Sequence, residues 1–105
     1  MRIIKGTDQT IPVTFSDTDG AINITGATVY FTVKRKLTDE DIVIAYSTSS
    51  HTTPLEGETQ IVLTRAQTNI DAELYYWDLQ LMKNDTLSAT EYGTLEIIQS
   101  VRDAD

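Results

Sequence analysis

The sequence predicts an all-β fold, and three observations predict it. Thr, Ile and Val number 17, 11 and 6 among the 105 residues. Such β-branched side chains lose rotamer freedom in helices and pack well on a pleated sheet. Apolar and polar residues alternate with period two from end to end, the spacing that puts every second side chain on one face of a strand. No segment keeps helical i, i+3, i+4 spacing for more than about one turn.

The segments follow in order. Ile11, Val13 and Phe15 alternate with Pro12 and Thr14. Asp17-Thr18-Asp19-Gly20 is a hairpin-type turn, with Gly20 free to take positive φ. A short extended piece, Ala21 to Thr25, ends at Gly26. Ala27, Val29, Phe31 and Val33 then oppose Thr28, Tyr30, Thr32 and Lys34. Thr38 to Asp41 is a tight polar turn before the apolar run that starts at Ile42. Ser47 to Gly57 is the longest loop. Ile61 and Leu63 share a face, and Thr64 is placed to cap a single helical turn ending near Asn69. Tyr75, Trp77, Leu79 and Leu81 oppose Tyr76, Asp78, Gln80 and Met82. Lys83 to Thr86 joins two late strands, and Leu95 and Ile97 close the pattern. The tail from Arg102 to Asp105 is expected to fray.

One apolar and one solvated face per strand is the mark of antiparallel sheets. Seven or eight such strands need two sheets stacked about 10 Å apart, which makes residues 1–105 a single β-sandwich domain with Trp77 in mid-core. The periodicity leaves the strand order open.

The formal net charge is −8, from 8 basic and 16 acidic residues. Nucleic acid and anionic membranes are held by clustered Lys and Arg, so neither is an expected partner. The one basic cluster, Lys34-Arg35-Lys36, is expected to lie in a strand and alternate between faces, so it presents no continuous basic surface. No apolar run approaches the ~20 residues of a membrane span, and Met1 to Gly6 turns polar too soon for a signal peptide. Cysteine is absent, which excludes disulfides, thiol catalysis and thiolate metal sites.

The remaining chemistry is sparse, and no catalytic residue, cofactor or metal is expected. His51, the single histidine, lies in a Ser/Thr-rich stretch and reads as an exposed loop residue. Asp17-Thr18-Asp19-Gly20 begins like a calcium loop, but the sixth and twelfth positions are Ile22 and Thr28 where glycine and glutamate are required. Asn23-Ile24-Thr25 and Asn84-Asp85-Thr86 fit a glycosylation sequon and read as turns. Alternation sends Tyr75 and Trp77 inward and Tyr76 outward with Tyr30 and Tyr92, an arrangement read as core plus interface rather than as a sugar platform.

The order of motifs carries a resemblance. Lys5-Gly6-Thr7-Asp8 leads into Ile11-Pro12-Val13-Thr14-Phe15, then Asp19-Gly20, then Ile24-Thr25-Gly26-Ala27-Thr28-Val29-Tyr30-Phe31-Thr32-Val33-Lys34. Ile61-Val62-Leu63-Thr64 and Thr68 precede Leu74-Tyr75-Tyr76-Trp77-Asp78-Leu79-Gln80-Leu81, and Gly93-Thr94-Leu95-Glu96-Ile97 closes the series. From about residue 3 to residue 101 this resembles the immunoglobulin-like N-terminal domain of phage baseplate upper proteins and related small tail or prophage proteins. The resemblance implies an immunoglobulin-like antiparallel sandwich and a non-enzymatic structural or adaptor role. The implied partners are other tail or baseplate proteins, with a homo-oligomer as a further option. The implied location is the virion, or the host cytoplasm during expression. The alternative reading is a cell-surface adhesion or carbohydrate-binding module. Sheet edges recruit strands unless blocked. Arg2-Ile3-Ile4 and Ile42-Val43-Ile44 are the candidate edges, and Ile42, Val43, Ile44, Ala45 and Tyr46 the candidate partner interface.

Overall fold

A computed structural model describes residues 1–36, 38, 42–84 and 86–99. It is all-β: β1 (Arg2–Ile4), β2 (Gln9–Thr14), β3 (Ser16–Asp17), β4 (Gly20–Ala21), β5 (Thr28–Lys34), β6 (Ile42–Thr48), β7 (Glu58–Leu63), β8 (Leu74–Lys83) and β9 (Thr86–Ile98). A curled five-stranded sheet has the order β1-β9-β8-β5-β6, and β2-β7 and β3-β4 form separate ribbons. All pairings are antiparallel except β1 with β9. The inward residues of the large sheet and of β2-β7 join one hydrophobic cluster, an arrangement consistent with a β-sandwich.

Inside and outside follow the alternation. Ala27, Val29, Phe31 and Val33 are buried, as are Ile61, Leu63, Tyr75, Leu79, Leu81, Leu95 and Ile97. β9 is 13 residues long. At about 3.4 Å per residue such a strand spans about 44 Å, matching the long axis of the 44 × 28 × 22 Å molecule.

The turns form as their residues dictate. Asp17 Oδ1 accepts the Asp19 amide at 2.8 Å, and Gly20 takes φ +113°. Asn23 Oδ1 likewise accepts the Thr25 amide at 3.0 Å, a local side-chain turn. Thr64 caps the single helical turn α1 (Arg65–Thr68) in a reciprocal capping box with Gln67. The polar turn expected at residues 38–41 lies, Thr38 apart, outside the described residues, as does the tail expected to fray.

Two expectations are corrected. Trp77 faces inward but is only partly buried, and it packs on the core from its margin. Its indole lies against Gly93 of β9, where a Cβ would meet ring atoms at 2.9–3.0 Å, and its Nε1 donates to the Thr94 carbonyl at 3.1 Å. The ribbon β2-β7 is too narrow to cover all five opposing strands, so this margin stays open. Lys34-Arg35-Lys36 does not alternate along a strand either, because β5 ends at Lys34. Arg35 instead turns back over the Tyr75 ring at 5.9 Å and pairs with Asp71 and Glu73 at 3.4 and 3.5 Å.

Candidate functional site

Strand edges are the first candidates, because an unpaired row of N–H and C=O groups is a template for another chain unless charge, proline or shortness blunts it. β1, one border of the large sheet, has 3 residues including Arg2. β9 is covered by β1 only at Glu96–Ile98, and its remaining border carries Glu91. β2 has Pro12 at its centre; its register with β7 is unbroken there, which turns the missing N–H toward the free side. β7 opens with Glu58.

β6 differs from all of these. It is the other border of the large sheet, and its 7 residues, Ile42-Val43-Ile44-Ala45-Tyr46-Ser47-Thr48, hold no charge and no proline. Ile44 is buried and Val43 and Tyr46 are half-buried against the core, so the strand is firmly seated. Ile42 is 52% exposed. Ala45 is also exposed, opposite Thr32 on the outward face. The register with β5 shifts between Val33 and Lys34, which lets Ile42 stand out beside Lys34 while Val43 turns toward the core. The interface residues expected from sequence therefore make up five of the seven positions of this unguarded border. The other expected edge, Arg2-Ile3-Ile4, is the opposite border.

The outward face of the large sheet is the second candidate. Strand registers set Tyr92 opposite Asp78, Asp78 opposite Thr32, Tyr30 opposite Gln80, and Tyr76 between Lys34 and Thr94. Tyr92 is 79% exposed and Tyr30 42%, while Tyr76 and Asp78 are half-buried. The alternation placed Tyr76, Tyr30 and Tyr92 on the outward side and left their mutual neighbours open. The β5-β8-β9 neighbourhood collects all three around one carboxylate.

A cleft of about 240 Å³ opens at the margin beside Trp77, between Ile11 and Val13 of β2 and Leu79 of β8, with Phe31 and Ile61 beneath. Its walls are chiefly apolar, and Glu91 and Met1 stand at its rim. Among the described residues no group of three or more His, Asp or Glu converges as a metal site. No described helix is long and apolar enough to cross a membrane.

His51 is not an exposed loop residue. Its Nε2–H donates to the Ala27 carbonyl at 2.8 Å, and its Nδ1 meets the Thr59 hydroxyl at 2.9 Å. A carbonyl can only accept, so Nε2 carries a proton, and Nδ1 shares the second hydrogen bond with the Thr59 hydroxyl. The imidazole thus clasps the long loop to β7 and to the entry of β5. Nothing local in the Ser/Thr-rich stretch shows this, because both partners are contributed by distant segments.

Tyr75 is fully buried and donates its hydroxyl to the Asp71 carbonyl at 2.7 Å. Burial raises its pKa above the ordinary 10.0; Glu73 adds to the shift and the Arg35 guanidinium opposes it. No family model matches the chain, and no curated protein is significantly similar to it.

Proposed function

We propose that the chain is a non-enzymatic structural or adaptor module of the phage or prophage tail and baseplate kind, built as an immunoglobulin-like sandwich. It joins neighbouring proteins by strand addition along β6. The observation that carries the docking part is the seven-residue border without charge or proline, where the described borders β1, β2, β7 and β9 each hold a charge or a proline. Main-chain hydrogen bonds supply affinity in such additions, and side chains on alternate faces supply specificity. Ile42, Ala45 and Ser47 are the exposed side chains of β6 that an added partner would cover. The tail and baseplate assignment rests on the motif order from Lys5 to Ile97, and it places the protein in the virion or, during expression, in the host cytoplasm.

The test is Ile42→Lys with Ala45→Lys, which places two lysines at exposed positions and leaves the core untouched. The full chain is examined by light scattering behind a sizing column. It is then co-expressed with the products of the neighbouring genes. The expected result is a self-assembly, or a complex with a tail protein, that the double variant loses while keeping its circular dichroism spectrum. Assembly that ignores the double variant, or no assembly with itself or with those gene products, overturns the proposal.

A further inference from the structure

Three Tyr residues on three adjacent strands neighbour Asp78 in register on the outward face. Tyr92 stands directly across from it on β9, Tyr76 lies two residues before it on β8, and Tyr30 is its diagonal neighbour on β5. Directly opposed side chains have Cβ atoms about 5 Å apart and diagonal ones about 7 Å, so the group forms one continuous patch. No hydrogen bond or ion pair to a described residue holds the Asp78 carboxylate, although the residue is half-buried. The Gln80 amide and the Thr32 and Thr94 hydroxyls border it.

The charge on this face is as informative as the rings. The protein carries −8, yet the described charged residues facing outward on the large sheet are Lys34 and Arg2 against Asp78 and Glu96. Arg2 and Glu96 already pair with each other at 3.3 Å. The tyrosine patch is therefore electrically balanced within an acidic molecule. It offers aromatic faces together with both donors (Lys34, Gln80, the Tyr and Thr hydroxyls) and acceptors (Asp78, Gln80). A basic partner would be better served by the acidic remainder of the surface, and an acidic one would be repelled by it.

We infer that this face is a binding site for a neutral saccharide chain, with Tyr30, Tyr76 and Tyr92 stacking on the apolar C–H faces of the sugar rings and Asp78 and Gln80 holding their hydroxyls. Tyrosine suits the task because it has an apolar body and a polar tip. The three rings spread over two inter-strand spacings and four residues along the strands, about 10 by 13 Å, which suits an extended chain better than a single sugar. The site lies on β5, β8 and β9, one strand in from the β6 border, and goes beyond the docking role proposed for that border.

The test is a neutral-glycan array probed with the full chain displayed multivalently. The strongest oligosaccharide is then titrated into the ¹⁵N-labelled monomer. Single-site binding is expected with a Kd on the order of 1 mM, with shifts confined to residues around Tyr30, Tyr76, Asp78, Gln80 and Tyr92. Tyr92→Ala and Asp78→Ala, both at surface positions, should each weaken binding by about tenfold or more, the effect of losing roughly 1.4 kcal/mol. Ile42→Lys with Ala45→Lys should leave binding intact, which separates this site from β6. A blank array, binding that survives Tyr92→Ala, or a tri-arginine peptide shifting the same residues where sugars do not, overturns the inference.

Discussion

Gly57 shows how a single residue holds this fold. It ends the 3₁₀ turn Pro54–Glu56 with a left-handed φ of +74°, and its amide reaches the Pro54 carbonyl at 3.1 Å. A Cβ there would meet the Phe15 carbonyl oxygen at 2.3 Å and that of Ile22 at 2.8 Å. Neither backbone atom can move aside cheaply, because Phe15 N donates to Gly57 O and Ile22 N to Phe15 O. Gly57→Ala therefore combines left-handed strain with a main-chain clash and should lower stability by at least about 2–3 kcal/mol in a urea melt. His51 acts through polar satisfaction. His51→Phe strands the Thr59 hydroxyl, on a residue 2% exposed, and the Ala27 carbonyl, on a residue fully buried. A cost of about 2–3 kcal/mol is expected, and adding Thr59→Val should return part of it, since removing both partners avoids the orphaned donor. Tyr75 sets an alkaline limit. Its pKa is raised in the folded state, so its contribution is complete below 10.0 and is lost as pH rises through the higher folded value. Alkaline melts should show stability falling above about pH 10. In Tyr75→Phe that part of the fall should be absent.

At the scale of elements, the chain treats its borders unequally. β1 is short, β2 carries Pro12, and β7 and β9 carry glutamates, whereas β6 has no such guard. Hydrogen exchange provides a second readout of the docking proposal. Amides on the free side of β6 should exchange fast in the monomer and become protected in the assembly. The same amides should stay unprotected in the Ile42→Lys, Ala45→Lys variant. Strand and turn positions were legible because they depend on neighbours in sequence: the Thr64 box, the Asp17 turn and the alternation of β5 and β8 are all local. The candidate edges Arg2-Ile3-Ile4 and Ile42-Val43-Ile44 were legible as apolar, short or uncharged segments. That they border one five-stranded sheet from opposite sides was not, since strand order is set by pairings between residues far apart, such as Arg2 with Glu96.

The whole molecule is a long twisted sheet covered on one side by a narrower ribbon, and both candidate surfaces follow from that mismatch. The ribbon leaves the Trp77 margin open and a full outer face bare, and on that face the three tyrosines meet. The outer face should therefore respond to saccharides and the β6 border to protein partners, each without the other, which the two sets of variants distinguish. By itself the sequence determined the all-β class, the inward and outward faces, the turns, the absence of thiol chemistry and the acidic balance. Each of these follows from composition or from spacings of a few residues. Only the tertiary structure decided which strand is unguarded, where His51 and Gly57 are held, and that Asp78 lies among Tyr30, Tyr76 and Tyr92. Those facts depend on pairings as distant in the chain as Arg2 with Glu96, and a pattern of period two fixes which face a side chain takes without fixing its neighbours.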